Sequence, residues 1–221
     1  GGPQDEPRTI LALDAGTGKA LWRKQGAGPL PMSLAVSGDR ACYVSDQALV
    51  CLDARTGQPL WQAPREVAVK RPGFSAPTVV LSEDVVLCAD RNPKQDSNLN
   101  ETTGKPIAQW LAEGGAAGEL TAYDAETGKV LWSCPCAEAY HSPTDVFVID
   151  GLVWVGQSRA RTGPDFLAAR DLRTGEIRHR IAPDKAFQTT MPHHRCHRNR
   201  ATTRYLVTGR TGVEFIDCQT G

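Results

Sequence analysis

The chain has 221 residues, 25 Lys plus Arg against 25 Asp plus Glu, and 40% hydrophobic residues. The neutral total excludes a globally basic nucleic-acid binder, and the apolar share excludes a disordered, solvating chain. No run approaches the roughly 18 consecutive apolar residues of a membrane helix, so neither a membrane span nor a nucleic-acid partner is expected.

The chain opens Gly1-Gly2-Pro3, with no initiator Met, basic start or apolar leader. That reads as a chain whose targeting segment was removed or as a piece of something longer. Residues 10–22 then read ILALDAGTGKALW, the first copy of a motif that recurs along the chain. Ser33 to Val36 and Ala41 to Val44 follow as strands around Gly38-Asp39. The second copy, residues 49–61, reads LVCLDARTGQPLW. Ala76 to Leu81 and Val85 to Cys88 form a further pair, joined by Ser82-Glu83-Asp84.

Residues 91–117, RNPKQDSNLNETTGKPIAQWLAEGGAA, break the rhythm. The first half is loop-like, and Pro106 to Glu113 is compatible with a short helix that Gly114-Gly115 ends. The third copy, residues 120–132, reads LTAYDAETGKVLW, and Cys134-Pro135-Cys136 comes after it. Those two thiols are either a redox pair or incidental. Asp145 to Ile149 and Leu152 to Val155 flank Asp150-Gly151, a two-residue hairpin signal. A fourth copy, residues 167–179, reads LAARDLRTGEIRH, and residues 213–221 carry a fifth as far as VEFIDCQTG.

The repeat has a physical logic. An apolar strand ends on Asp14, Asp53, Asp124, Asp171 or Asp217, whose carboxylate can accept backbone N–H groups of the following turn. Gly18, Gly57, Gly128 and Gly175 supply the positive φ of that turn. Trp22, Trp61 and Trp132 stand eight residues after the Asp, where a large flat side chain packs between neighbouring sheets. His179 holds that slot in the fourth copy. Successive Asp residues are 39, 71, 47 and 46 positions apart, and the long gap is accounted for by 91–117. The other spacings match a four-stranded propeller blade.

The expected class is therefore all-β, with about seventeen strands in four-stranded antiparallel blades. Residues 1–221 form one propeller segment, with 91–117 inserted as a loop or short helix. About four to five blades' worth is present. Seven or eight blades at about 45 residues each need roughly 315–360 residues, so the segment is expected to be an arc of a larger ring. Such an arc exposes apolar faces at both ends.

The motif resembles the quinoprotein-like propeller repeat, A-x-D-x-x-T-G-K-x-x-W. That superfamily includes pyrroloquinoline-quinone alcohol dehydrogenases and the propeller subunit of the outer-membrane β-barrel assembly machinery. The stretch His193 to Thr202, continuing through Gly212 to Asp217, is also similar to planctomycete-type proteins in which such repeats are joined to a methyltransferase-like domain. The resemblance implies a bacterial, secreted or periplasmic setting.

Residues 178–210 hold eight Arg or Lys against Asp184 alone. They are read as a solvated face, as side chains paired with Asp and Glu of the next blade, or as an anion-binding patch. His193, Cys196 and His197 have metal-ligand chemistry, yet strand alternation puts no more than two ligands on one face, and Arg195 and Arg198 oppose a cation. No metal site is assigned. Trp110, His193, His194, Arg195 and Arg198 are instead candidates for a ligand or partner surface.

A quinoprotein enzyme needs a flat-cofactor pocket, a Ca²⁺ site and a carboxylate base. The adjacent cysteines of the family enzymes are missing here, and so are G-x-S-x-G, H-E-x-x-H and a Walker loop. No catalytic residue and no cofactor are assigned. The expected function is a non-catalytic scaffold or binding module within a larger protein, whose partner is another protein or the remaining blades. The alternatives are a fragment of an alcohol dehydrogenase using pyrroloquinoline quinone with Ca²⁺, or an accessory propeller fused to a methyltransferase-like domain.

Overall fold

Neighbouring strands pair into hairpins, and the hairpins join in chain order into five antiparallel sheets. The computed structural model describes residues 8–26, 28–67, 76–91, 118–136, 143–156, 168–180, 199–208 and 213–220. The first sheet is β1 (Thr9–Leu13) and β2 (Ala20–Gln25). The second runs β3 (Ala35–Ser37), β4 (Arg40–Val44), β5 (Ala48–Asp53) and β6 (Pro59–Pro64). The third runs β7 (Thr78–Ser82), β8 (Val85–Arg91), β9 (Gly118–Asp124) and β10 (Val130–Cys136). The fourth runs β11 (Val146–Ile149), β12 (Leu152–Val155), β13 (Ala168–Asp171) and β14 (Ile177–Arg180). The fifth holds β15 (Arg200–Ala201), β16 (Tyr205–Thr208) and β17 (Glu214–Asp217).

The seventeen strands found among the described residues match the expected number and their division into blades. Small differences have local causes. Ser33 was expected in a strand, but its N–H donates to Leu30 O at 3.2 Å, so it closes a turn and β3 begins at Ala35. Cys134 and Cys136 were expected after a strand; they lie inside β10, two residues apart on one face, and both are buried. Of the expected insertion, Arg91 is the last residue of β8, and residues 92–117 lie outside the described part.

The sheets stack face to face. Strand alternation sends the residue before each motif Asp towards the preceding sheet and the residue two before it towards the following one. Leu52, Tyr123 and Ile216 fill the first role and are buried; Cys51, Ala122 and Ala169 fill the second and are buried. The result is four separate apolar layers, one between each pair of successive sheets. Trp154 is the largest fully buried side chain and packs with Leu206 and Ile216 in the layer between the fourth and fifth sheets. The expected exposure of apolar faces at both ends is present. Leu13 of the first sheet is 53% exposed and Phe215 of the fifth is 64% exposed, in the same two roles that are buried elsewhere. Strand β7 touches both β3 and β11, so the leading strands of neighbouring sheets come together on one side of the stack. That is the blade arrangement of a propeller.

Candidate binding face

Each sheet has two ends, and they differ in kind. One end carries the Asp-x-x-Thr-Gly turns, built alike four times. Asp124 Oδ1 accepts hydrogen bonds from the Thr127 N–H at 2.8 Å and from the Thr127 hydroxyl at 2.7 Å. Asp14 with Thr17, Asp53 with Thr56 and Asp171 with Thr174 repeat the pattern. These bonds favour the carboxylate and hold all four Asp residues below the usual carboxylate range. The threonine hydroxyl leads the effect for Asp14, Asp53 and Asp124, and the Thr174 amide leads it for Asp171. In the fifth copy Asp217 is lowered chiefly by Arg204, whose guanidinium sits 2.7 Å away.

The tryptophans link these turns from sheet to sheet. Trp22 Nε1–H donates to Ala54 O at 2.9 Å, Trp61 Nε1–H to Ala125 O at 2.8 Å, and Trp132 Nε1–H to Leu172 O at 3.0 Å. Each acceptor is the residue after the next sheet's motif Asp. Each indole also lies over the next motif's Gly. A Cβ on Gly57, Gly128 or Gly175 would stand 2.6 Å from Trp22, Trp61 or Trp132 respectively. Gly18 has the same positive φ, but a Cβ there would meet nothing within 4 Å. The turn requirement for Gly is evident in the sequence and this contact is not, because the partner Trp belongs to the preceding repeat. His179, in the Trp slot of the fourth copy, is exposed.

The opposite end is irregular and polar. Among the described residues, the buried polar side chains are Ser33, Ser45, Asp90, Arg91, Thr121, Thr144, Asp145 and Asn199. All but the mid-strand Thr121 lie at this end. Here successive sheets are tied by different chemistry at each step. Arg65, just past β6, donates from Nη1 to Cys88 Sγ, and its Nη2 lies 3.7 Å from Asp90 Oδ2. Burial alone would lower the Arg65 pKa, but the Cys88, Asp90 and Tyr123 groups outweigh it, and the group stays firmly cationic. Thr78 Oγ1–H donates to Thr144 O at 2.6 Å, and Asn199 Nδ2–H donates to Asp145 Oδ2 at 3.0 Å. Asp145, expected to open a strand, stands just before β11, is buried and faces the neighbouring sheet through Asn199.

The two segments expected to form a contact surface attach at this end. Arg91 ends β8 and Gly118 begins β9, so the 91–117 connection starts and finishes here. The chain re-enters at Asn199 before β15. Trp110, His193, His194, Arg195, Cys196, His197 and Arg198 themselves lie outside the described residues. In the basic segment, Arg178 pairs with Glu176 at 3.2 Å and Asp171 at 3.3 Å, and Arg204 pairs with Asp217. Among the described residues these partners lie in the same sheet rather than in the next blade, because the motif Asp is the nearest acid to the strand that follows or precedes it.

The described residues do not fit a quinone with a divalent cation. Trp22, Trp61 and Trp132 are committed between sheets, and Trp154 is sealed in an apolar layer. The buried carboxylates Asp90 and Asp145 stand on different sheets, one towards a guanidinium and one towards an amide. Among the described residues no three His, Cys, Asp or Glu side chains converge.

The profile of the PQQ_2 family, outer membrane protein assembly factor BamB, matches residues 4–109 and again residues 108–221. The chain belongs to this family. It is 29% identical over 137 residues to quinohemoprotein alcohol dehydrogenase ADH IIB of Pseudomonas putida, covering 56% of this chain and 17% of that protein. It is also 29% identical over 149 residues to outer membrane protein assembly factor BamB of Burkholderia pseudomallei (strain K96243), covering 56% of this chain and 39% of that protein. The crystal structure of BamB from Moraxella catarrhalis superposes with a TM-score of 0.53 at 19% identity, over 96% of this chain and 56% of that one. The last likeness shows the fold, a β-propeller. The chain therefore spans well under two thirds of each of these proteins. No helix among the described residues is long and apolar enough to cross a membrane.

Proposed function

We propose that the chain is a propeller scaffold and binding module of a larger periplasmic or secreted bacterial protein, without catalytic groups of its own. Its working surface is the end opposite the Asp-x-x-Thr-Gly turns, and it presents that end to a protein partner. The observation that carries this reading is the asymmetry between the two ends. The turn end repeats the same Asp–Thr and Trp contacts in successive sheets, with Arg40 to Ala125 O and Arg173 to Asp84 added. The ties at the opposite end instead differ at each step from the second sheet to the fifth, and that end roots the 91–117 and 188–200 connections. Connections carried by a rigid sheet scaffold are where binding groups concentrate. The family's description as an assembly factor supports a protein partner. Trp110, His193, His194, Arg195 and Arg198 are the side chains proposed to meet it.

The test is capture of partners by the chain with and without residues 91–117, alongside R195E/R198E. Loss of the captured partner in these variants, with the cooperative unfolding transition retained, supports the surface. Unchanged recovery contradicts it.

The rival is an oxidoreductase, favoured by the 29% identity to a quinohemoprotein alcohol dehydrogenase. Dye-linked alcohol oxidation on adding pyrroloquinoline quinone and Ca²⁺ would decide for it.

A further inference from the structure

Strands β4 and β5 carry one cysteine each, and their hairpin sets the two directly opposite, Cys42 against Cys51. The phase of the ladder decides how close they come. The Asp46-Gln47 loop closes on Ser45, whose N–H donates to Ala48 O at 2.8 Å. At the far end Ala54 N–H donates to Asp39 O at 2.8 Å. Counting inwards from either bond, the pairs 43/50 and 41/52 are hydrogen-bonded and the pair 42/51 is not. In a non-hydrogen-bonded pair the Cα atoms stand about 4.5 Å apart with the side chains at their closest. A disulfide accepts Cα separations of roughly 4.4–6.8 Å.

The surroundings agree with the register. Both side chains point into the layer between the second and third sheets, with Val44, Leu49, Ala63 and Val86 around them. Neither has any exposed surface. The Cys51 sulfur beside it, together with burial, pushes the Cys42 thiol above its usual range, and Cys42 in turn lowers Cys51. Cys88 shares the layer, but it belongs to the neighbouring sheet and its sulfur receives the Arg65 guanidinium.

We propose that Cys42 and Cys51 form a disulfide site, closing as a cross-strand bond while the chain folds in an oxidising compartment. The oxidant is a small or protein disulfide. One cysteine thiolate attacks it, giving a mixed disulfide and releasing a thiol; the second thiolate attacks the mixed disulfide and releases the other. The two cysteines lose two protons and two electrons, and the oxidant becomes two thiols. Because the folded layer seals both sulfurs, the exchange takes place once the β4–β5 hairpin has formed and before the third sheet covers it.

No Lys or Arg interrupts residues 41–55 before Arg55, so both cysteines fall in one tryptic peptide. The full chain is reduced, unfolded, and refolded in oxidised and reduced glutathione. It is then alkylated with iodoacetamide under denaturing conditions and digested. The expected peptide 41–55 is unalkylated and two hydrogens lighter than its dithiol form, and takes up two alkyl groups once reduced. The oxidised protein melts on the order of 5–10 °C above the reduced one, and Cys51→Ala abolishes that difference. Protein folded in the reduced state and then given the same oxidant forms the bond far more slowly. A doubly alkylated peptide 41–55 after oxidative refolding, or linkage of either cysteine to Cys88, overturns the proposal. The peptide mass decides the matter even where the Cys51→Ala variant does not fold.

Discussion

Gly128 meets two demands at once. Its φ is +71°, a region that costs an L side chain about 1–2 kcal/mol. A Cβ there would also stand 2.6 Å from Trp61 Cε3, inside any tolerable contact. Gly18 meets only the first demand, since nothing lies within 4 Å of its Cβ position. The two positions therefore separate backbone strain from the sheet-to-sheet contact. Gly18→Ala should cost about 1 kcal/mol, and Gly128→Ala about 3 kcal/mol, once displacement of the indole is added. Urea unfolding of the two variants measures the difference; equal losses would mean that the Trp61 contact contributes nothing.

At the scale of an element, the Asp-x-x-Thr-Gly turn is a pH-sensitive device. Its carboxylates titrate below the usual range when folded, led by the threonine hydroxyl for Asp53 and Asp124 and by the Thr174 amide for Asp171. A depressed folded pKa gives stability that is fully present above the unfolded value of about 3.9 and is lost as pH falls through the folded value. Urea midpoints of the wild type should fall as pH drops below about 4. In D53N/D124N/D171N, where an amide oxygen still accepts the turn's hydrogen bonds, that fall should be shallower. An unchanged slope would place the acid sensitivity elsewhere.

The turn was legible in the sequence because everything it needs lies within six residues: Asp53, Thr56 and Gly57 contact one another locally. Strand number and blade grouping followed from the same periodicity. The Trp–Gly contact was not legible, because Trp61 reaches Ala125, 64 positions on, across the inserted segment. Pairing of the copies held a signal for it: three motifs with Trp precede three with Gly at the covered position. Asp145 and Asp90 do not stand out in the sequence because their burial depends on neighbouring sheets, which local pattern does not reveal. The Cys42–Cys51 opposition could have been counted from a Ser45-Asp46-Gln47-Ala48 loop, had that turn been recognised.

At the scale of the whole molecule, the contacts between sheets among the described residues run between neighbours, as in a repeat array. The two end faces show what an uncovered blade looks like, with Leu13 and Phe215 in positions that are buried elsewhere in the stack. Under the proposed function these faces meet further blades of the same ring, while the polar end opposite the turns is left for a partner. Polar ties at that end, Arg65 to Asp90, Thr78 to Thr144 and Asn199 to Asp145, hold the sheets beneath the connections in fixed relation. Hydrogen-exchange mass spectrometry on the captured complex tests the proposed partner surface most directly. Protection confined to 91–117 and 188–200, with turns 14–19, 53–58, 124–129 and 171–176 unchanged, is the predicted result; protection of those turns with none at the opposite end would contradict it.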